Sequence, residues 1–368
     1  MDWVRGEKLG HGSFATVSLA ARRSCGGGES ASLPPLMAVK SCGVSHSSSL
    51  MSEKLILEEF EGCPEIITCF GERFSNENGE KLYNVLLEYA AGGSLADKLE
   101  GSDGRRLPES EVRQYTKALL KGLHYIHKYG YVHCDIKLQN ILLCRDGGVK
   151  IADFGLAKRA AAVGGDSRRC ELRGTPMYMS PEMVSGGEQG APADIWALGC
   201  VVSEMVAGSP AWRCSDVAGL LMRIGVGEEV PEIPGILSKE GKDFLGKCFA
   251  KNPTERWTAE MLLNHPFVQD QYSDFGGAAA EEKIKTTSTS PRCPFDFPEW
   301  VSSAACSITS LPSTVDFPES GLWFTEESIL KEGSSWWSST ASTAERLLEL
   351  VTEQVPDWSV SDDWVTVR

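Results

Sequence analysis

The sequence predicts an α+β chain of two lobes, a small β-rich N-terminal lobe and a larger α-helical lobe, followed by a largely disordered acidic tail. Three observations carry that prediction. Up to about residue 90, short apolar runs alternate with Gly/Ser/Pro clusters in the manner of strands and turns. From about residue 94 the apolar residues fall at helical spacing instead. Beyond about Gln269 the composition shifts to Ser, Thr, Pro, Asp and Glu, and this stretch carries roughly −10 of the net charge.

Within the first lobe, the run from Ser24 to Pro35 reads as a hairpin loop, and one helix is expected over Leu50–Phe60. In the second, Glu109–Lys128 places Val112, Tyr115, Leu119, Leu123 and Ile126 on one helical face, and further amphipathic stretches run from Asp194 to His265. The lobes together are expected to span residues 3–268, leaving 269–368 as a regulatory or docking tail. That tail repeats a phrase, Asp296-Phe297-Pro298-Glu299 and Asp316-Phe317-Pro318-Glu319. It also holds a candidate amphipathic helix near 343–355, opened by the capping box Ser342-Thr343-Ala344-Glu345. An unselected linker and a segment that recruits partners or controls lifetime are both open readings of it.

With 368 residues, of which 42% are hydrophobic and 24% charged, the chain can bury a sizeable core. Thirty-six basic against 51 acidic residues give a net charge of −15, which argues against a nucleic-acid or anionic-membrane binder. The N-terminus shows no apolar signal core, and no stretch approaches the roughly 18 apolar residues of a membrane span. An intracellular protein of the cytoplasm and/or nucleus is expected. The twelve cysteines lie singly, without zinc-ligand spacing, so reduced thiols are expected.

The chemistry begins at Gly10-His11-Gly12-Ser13-Phe14-Ala15-Thr16-Val17, a glycine-rich hairpin whose backbone can approach nucleotide phosphates. By itself such a string is as often an exposed turn. About 25 residues on, the strand Met37-Ala38-Val39-Lys40 ends in an ammonium able to reach those phosphates. In the helix that follows, Glu53 is the chosen partner for Lys40, with Glu58 and Glu59 as competitors. The string His133-Cys134-Asp135-Ile136-Lys137-Leu138-Gln139-Asn140 supplies a carboxylate that can take a hydroxyl proton (Asp135) and a cation for a moving phosphoryl group (Lys137). It also supplies an amide for a metal ion (Asn140). Thirteen residues after Asn140, Asp153-Phe154-Gly155 adds a second metal-binding carboxylate.

In this order, these strings resemble the eukaryotic protein kinase family over residues 3–268. Further matches are Gly174-Thr175-Pro176, Met179-Ser180-Pro181-Glu182, Asp194-Ile195-Trp196-Ala197-Leu198-Gly199 and Arg256. The resemblance implies a bilobal kinase fold using ATP and Mg²⁺. Its nucleotide-binding set is Gly10, Gly12, Ser13, Phe14, Ala15, Val17, Ala38, Lys40, Glu53, Leu87, Glu88 and Ala90. Asp135 and Lys137 would be catalytic, Asn140 and Asp153 would hold the metal, and Glu182 and Arg256 would form a buried ion pair. Lys137 and Gly174-Thr175 resemble the serine/threonine class. Phrases such as Gly92-Gly93-Ser94-Leu95 and Gly122-Leu123-His124-Tyr125-Ile126-His127 are similar to plant mitogen-activated protein kinase kinase kinases of the MEKK-like class. That similarity implies MAP kinase kinases as substrates.

The chain departs from the family at Cys134, where an arginine usually clamps a phosphorylated loop. This implies less dependence on phosphorylation of that loop, in which Ser167 is the better candidate position, a merely exposed serine being the open alternative, while the family match of Thr175 has a structural role. A redox-sensitive thiol and an inert buried one are both open readings of Cys134. Two other functions compete with this kinase: a catalytically dead scaffold, against which Lys40, Asp135 and Asp153 all argue, and a serine/threonine kinase of another pathway.

Overall fold

The computed structural model describes residues 3–12, 15–23, 33–160, 173–186, 189–214 and 216–269. Ser13, Phe14, Ser167, the expected helix near 343–355 and the rest of the tail lie outside these residues.

The first lobe is an antiparallel sheet of β1 (Trp3–His11), β2 (Thr16–Arg22), β3 (Leu36–Gly43), β4 (Cys69–Glu77) and β5 (Glu80–Leu87), in the order β1-β2-β3-β5-β4. Side chains alternate between the faces of a strand, so the register decides what each face carries. Met37 and Val39 of β3 join Trp3, Ala20, Leu33 and Leu86 in an apolar cluster on one side. Ala38 and Lys40 therefore point to the other side, with Lys40 paired in register to Val17 and Val85. The helix expected over Leu50–Phe60 spans Ser48–Glu59 (α1), and its buried residues Leu50, Glu53 and Leu57 form one stripe at helical spacing. Glu53 sits in the middle of that stripe, which turns a carboxylate toward the sheet.

The second lobe contains α2 (Leu95–Glu100), α3 (Glu109–Lys128), α4 (Pro181–Val184), α5 (Ala191–Ala207), α6 (Val217–Gly225), α7 (Lys239–Cys248) and α8 (Ala259–Leu263). Short strands β6 (Tyr131–Val132) and β9 (Lys158–Arg159) pair with each other, as do β7 (Ile141–Leu143) and β8 (Val149–Ile151). Helix α3 occupies the bounds expected from its periodicity. Helix α5 is apolar nearly all round and buried from Ala193 to Val206 apart from Glu204, so it forms the centre about which α3 and α7 pack. Gly122 on α3 lets β8 approach closely, because a Cβ there would stand 2.7 Å from Ile151 Cδ1.

One buried ion pair ties the end of the lobe to its middle. Arg256, with its side chain fully buried, donates to both Glu182 oxygens at 2.6 and 2.9 Å and to the carbonyls of Ala250 and Pro192. Its guanidinium lies over the Trp196 ring at 5.1 Å. Removing one partner leaves the other charge buried without compensation, which typically costs about 3–5 kcal/mol. Arg256→Leu is therefore expected to lower unfolding free energy by about that amount in urea titrations. The Glu182→Leu/Arg256→Leu double variant should recover a large part of the loss.

Candidate active site

The cleft between the lobes is lined by Gly10 and Val17 from the glycine-rich hairpin, by Ala38 and Lys40 from β3, and by Glu53 from α1. Leu87, Glu88, Tyr89 and Ala90 line it from the connection after β5. The helical lobe contributes Asn140 and Asp153 to the same cleft. Residues far apart in sequence are thus brought together, and the structure also adds Leu9, Leu142 and Gln139, which motif reasoning did not single out. The signal for Leu142 was present in alternation. It is the middle residue of β7, so its side chain points opposite to Ile141 and Leu143.

Lys40 Nζ donates to both Glu53 oxygens, at 2.7 and 2.6 Å, and to Asp153 Oδ1 at 2.9 Å. The competitors of Glu53 are engaged elsewhere: Glu58 pairs with Lys54, and Glu59 accepts from Tyr131 and Arg159. Asp153 adopts a left-handed backbone conformation, φ 64° and ψ 71°, which an L-residue pays for in strain. Phe154, which follows it, packs on His133 and Phe60 with ring centroids 4.7 and 5.4 Å away. That packing holds the turn in place.

Asp135 is pinned from three sides. Thr175 Oγ1 donates to Oδ1 at 2.8 Å, Asn140 Nδ2 donates to Oδ2 at 2.9 Å, and Lys137 Nζ stands 3.0 Å from Oδ2. Lys137 also donates to Thr175 Oγ1 at 2.9 Å, so the hydroxyl relays between cation and carboxylate. Gly174 is required beside it: its φ is +108°, and a Cβ there would meet the Cys134 carbonyl at 2.5 Å.

The loop itself hangs from Asp194 of α5. This buried carboxylate accepts the N–H groups of His133 and Cys134 at 2.9 and 3.0 Å, and pairs with His127 Nε2 at 2.9 Å. Burial pushes its carboxyl upward. The hydrogen bond and charge of His127, with the His133 N–H, outweigh that and hold it below the usual carboxylate range. Asp135 N–H donates to His133 Nδ1, which leaves the proton on Nε2 to bond the Ala152 carbonyl. Cys134 sits in the left-handed region at φ 68° and is buried, with its thiol pushed far up by desolvation and by Asp194. A thiol so buried is protonated and inert.

The donor set fits a divalent cation that arrives with phosphates. An amide oxygen and a carboxylate are hard oxygen ligands, and Mg²⁺ is usually held by one or two carboxylates plus substrate phosphates. That mode needs no dense ligand cluster, and among the described residues no group of three or more His, Cys, Asp or Glu is poised to hold a metal. The adenine end also fits. Ala90 N–H makes no hydrogen bond among the described residues, whereas Glu88 N–H is already bonded to Thr68 O.

Cleft, ion pair and pinned carboxylate define a phosphotransferase site on a two-lobed scaffold, and the protein kinase domain family matches residues 3–268. That family uses ATP and a divalent metal in general. The chain is 47% identical to mitogen-activated protein kinase kinase kinase 20 of Arabidopsis thaliana over the whole of both chains. It is 36% identical to kinase kinase kinase 18 of the same plant, over all of this chain and 99% of the relative. Against kinase kinase kinase 17 the identity is 44%, over 73% of this chain and 70% of the relative. The chain therefore belongs to the protein kinase family and, within it, to the serine/threonine kinases of the MAP kinase kinase kinase group.

Thr175 is the least redundant member of the relay. Thr175→Ala is expected to reduce kcat by roughly 10- to 100-fold with little change in KM for ATP, because it removes the hydroxyl that bonds both Lys137 and Asp135 and so loosens their alignment. Thr175→Ser should keep most of the activity, as steady-state kinetics would show.

Proposed function

We propose that this kinase transfers the γ-phosphoryl group of Mg·ATP to serine or threonine residues in the activation loops of MAP kinase kinases. The observation that supports it most is the pinned Asp135 carboxylate, linked through Asn140 to the cleft where Lys40 and Asp153 meet. Asp135 accepts the proton of the substrate hydroxyl as its oxygen bonds to the γ-phosphorus and the bridge to ADP breaks. Lys137 stabilises the charge on the moving group, and Lys40, oriented by Glu53, holds the phosphates that remain with ADP. Bound Mg²⁺ would supply neutralisation of phosphate charge, with Asp153 and Asn140 as its protein ligands. The Ala90 N–H and the Glu88 carbonyl would take the adenine edge, with Val17, Ala38 and Leu142 against the ring and Leu87 at the back of the pocket. The substrate tier is supported by the names of the relatives matched over their full length.

The test is transfer of labelled γ-phosphate to purified, catalytically dead MAP kinase kinases. Wild type should label them, while Lys40→Met and Asp135→Asn should lose at least about 100-fold in rate. Labelling of a generic basic protein but of no MAP kinase kinase would retain the kinase and reject the tier. No labelling of either would leave a scaffold. In the same assay, chelation with EDTA should abolish transfer and added MgCl₂ restore it, which checks the metal assignment.

A further inference from the structure

Far from the nucleotide cleft, the helical lobe carries a second cleft of about 430 Å³ between the segment that follows α5 and the segment that follows α6. Its walls include Ala207, Pro210 and Trp212 on one side and Val230 and Pro234 on the other. Trp212 is buried, yet among the described residues its indole N–H has no hydrogen-bond partner. Among the described residues, no backbone N–H of 209–214 or 228–236 donates to another backbone group. The Arg213 and Pro234 carbonyls are taken by Arg223 and by Leu237 N–H, and Pro210, Pro231 and Pro234 carry no N–H, but the other peptide groups of the two facing stretches are left to an extended peptide.

The rim favours an acidic one. Arg105, Arg106 and Arg213 are exposed and form no ion pair among the described residues, and Arg106 Nε donates to the Ala207 carbonyl at the edge of the cleft. Arg223, over the Trp212 ring at 5.3 Å, is neutralised by Glu229. Of the acids on the facing segment, Glu228 pairs with Lys251, and Glu232 lines the cleft. Just beyond, Val230 and Ile236 expose 43% and 67% of their surface, an apolar edge that no described residue covers.

The tail begins next to this edge. Arg113 bonds both the Phe267 carbonyl and the Ser238 hydroxyl, so the chain leaves the lobe beside the 230–238 segment. We infer that the cleft is the docking site of the tail's own repeated phrase Asp-Phe-Pro-Glu, residues 296–299 or 316–319. The residue before a proline is held extended, so Phe297 and Phe317 are pre-set for this conformation. Phe-Pro fills the Trp212/Pro210/Pro234 walls, and the flanking carboxylates meet Arg213 and the Arg105–Arg106 turn. A linker of roughly 27 residues from Gln269 to Asp296 has an r.m.s. span of ~30 Å and an extended reach near ~90 Å. Such a tether gives an effective concentration of about millimolar, so a weak motif suffices, and two copies raise occupancy. The match to the kinase kinase kinase 20 relative runs through this tail as well as the catalytic lobes. The inference does not rest on which substrate the kinase uses.

Hydrogen–deuterium exchange on the full-length chain tests it. Amides of 209–214 and 228–236 should exchange at least about fivefold faster in the Phe297→Ala/Phe317→Ala double variant than in wild type, with each single variant between them. A synthetic peptide of residues 293–301 should restore protection to the double variant, and the same peptide with Phe297→Ala should not. Arg213→Glu should weaken that peptide at least about fivefold while Arg213→Lys binds it. Unchanged exchange in the double variant overturns the inference. So does protection that varies with protein concentration, which would mark a second copy, or protection that arises only when a MAP kinase kinase is added.

Discussion

The buried carboxylate of Asp194 is the constraint on which the catalytic half of the molecule depends. It lies on the most buried helix of the lobe and is bonded to two successive N–H groups, of His133 and Cys134, in a loop that would otherwise relax, because Cys134 sits at positive φ. Hydrogen bonds to a charged acceptor in such surroundings are worth about 1.5–3 kcal/mol each, enough to offset one strained residue. With that strain held, Asp135 emerges at one fixed angle, and Thr175, Asn140 and Lys137 complete its frame. The site's precision therefore rests on a residue that touches no substrate.

The nucleotide half is organised by a different rule, the two-residue period of a strand. Because Met37 and Val39 are drawn into an apolar cluster, Lys40 must face α1 and the cleft. Helix α1 presents Glu53 because Leu50 and Leu57 bury the same stripe. The lysine then bridges α1 and Asp153, so a single ammonium joins both lobes. The bridge therefore depends on the placement of α1 and on the Phe154 packing against Phe60 and His133.

Much of the site was legible in the chain itself. The ordered strings from Gly10 to Asp153 named Lys40, Glu53, Glu88, Asn140 and Asp153 in the cleft, since charge and spacing are local properties, but not Glu7, Lys8, Ser94 or Gln139, which also line it. Glu53 was a choice among three carboxylates, and sequence offered no way to see that Glu58 and Glu59 are taken by Lys54 and by Tyr131 with Arg159. Leu9 and Leu142 were passed over because an apolar residue at the end or middle of a short strand looks the same whether it faces a core or an adenine. The second cleft was invisible for a similar reason: Pro210, Trp212 and Pro234 are ordinary loop residues until two loops are set face to face.

By itself the sequence determined the class of chemistry, the alternation that turns Lys40 inward, the helical face of α3 and the acidic character of the tail. These depend on residue type and near-neighbour period, which the chain carries along its length. Only the tertiary structure decided which glutamate meets Lys40, that the Cys134 thiol is buried and inert, and that Thr175 relays between Lys137 and Asp135. Each of those depends on groups separated by tens of residues, and their proximity is fixed by how buried helices and sheet faces pack.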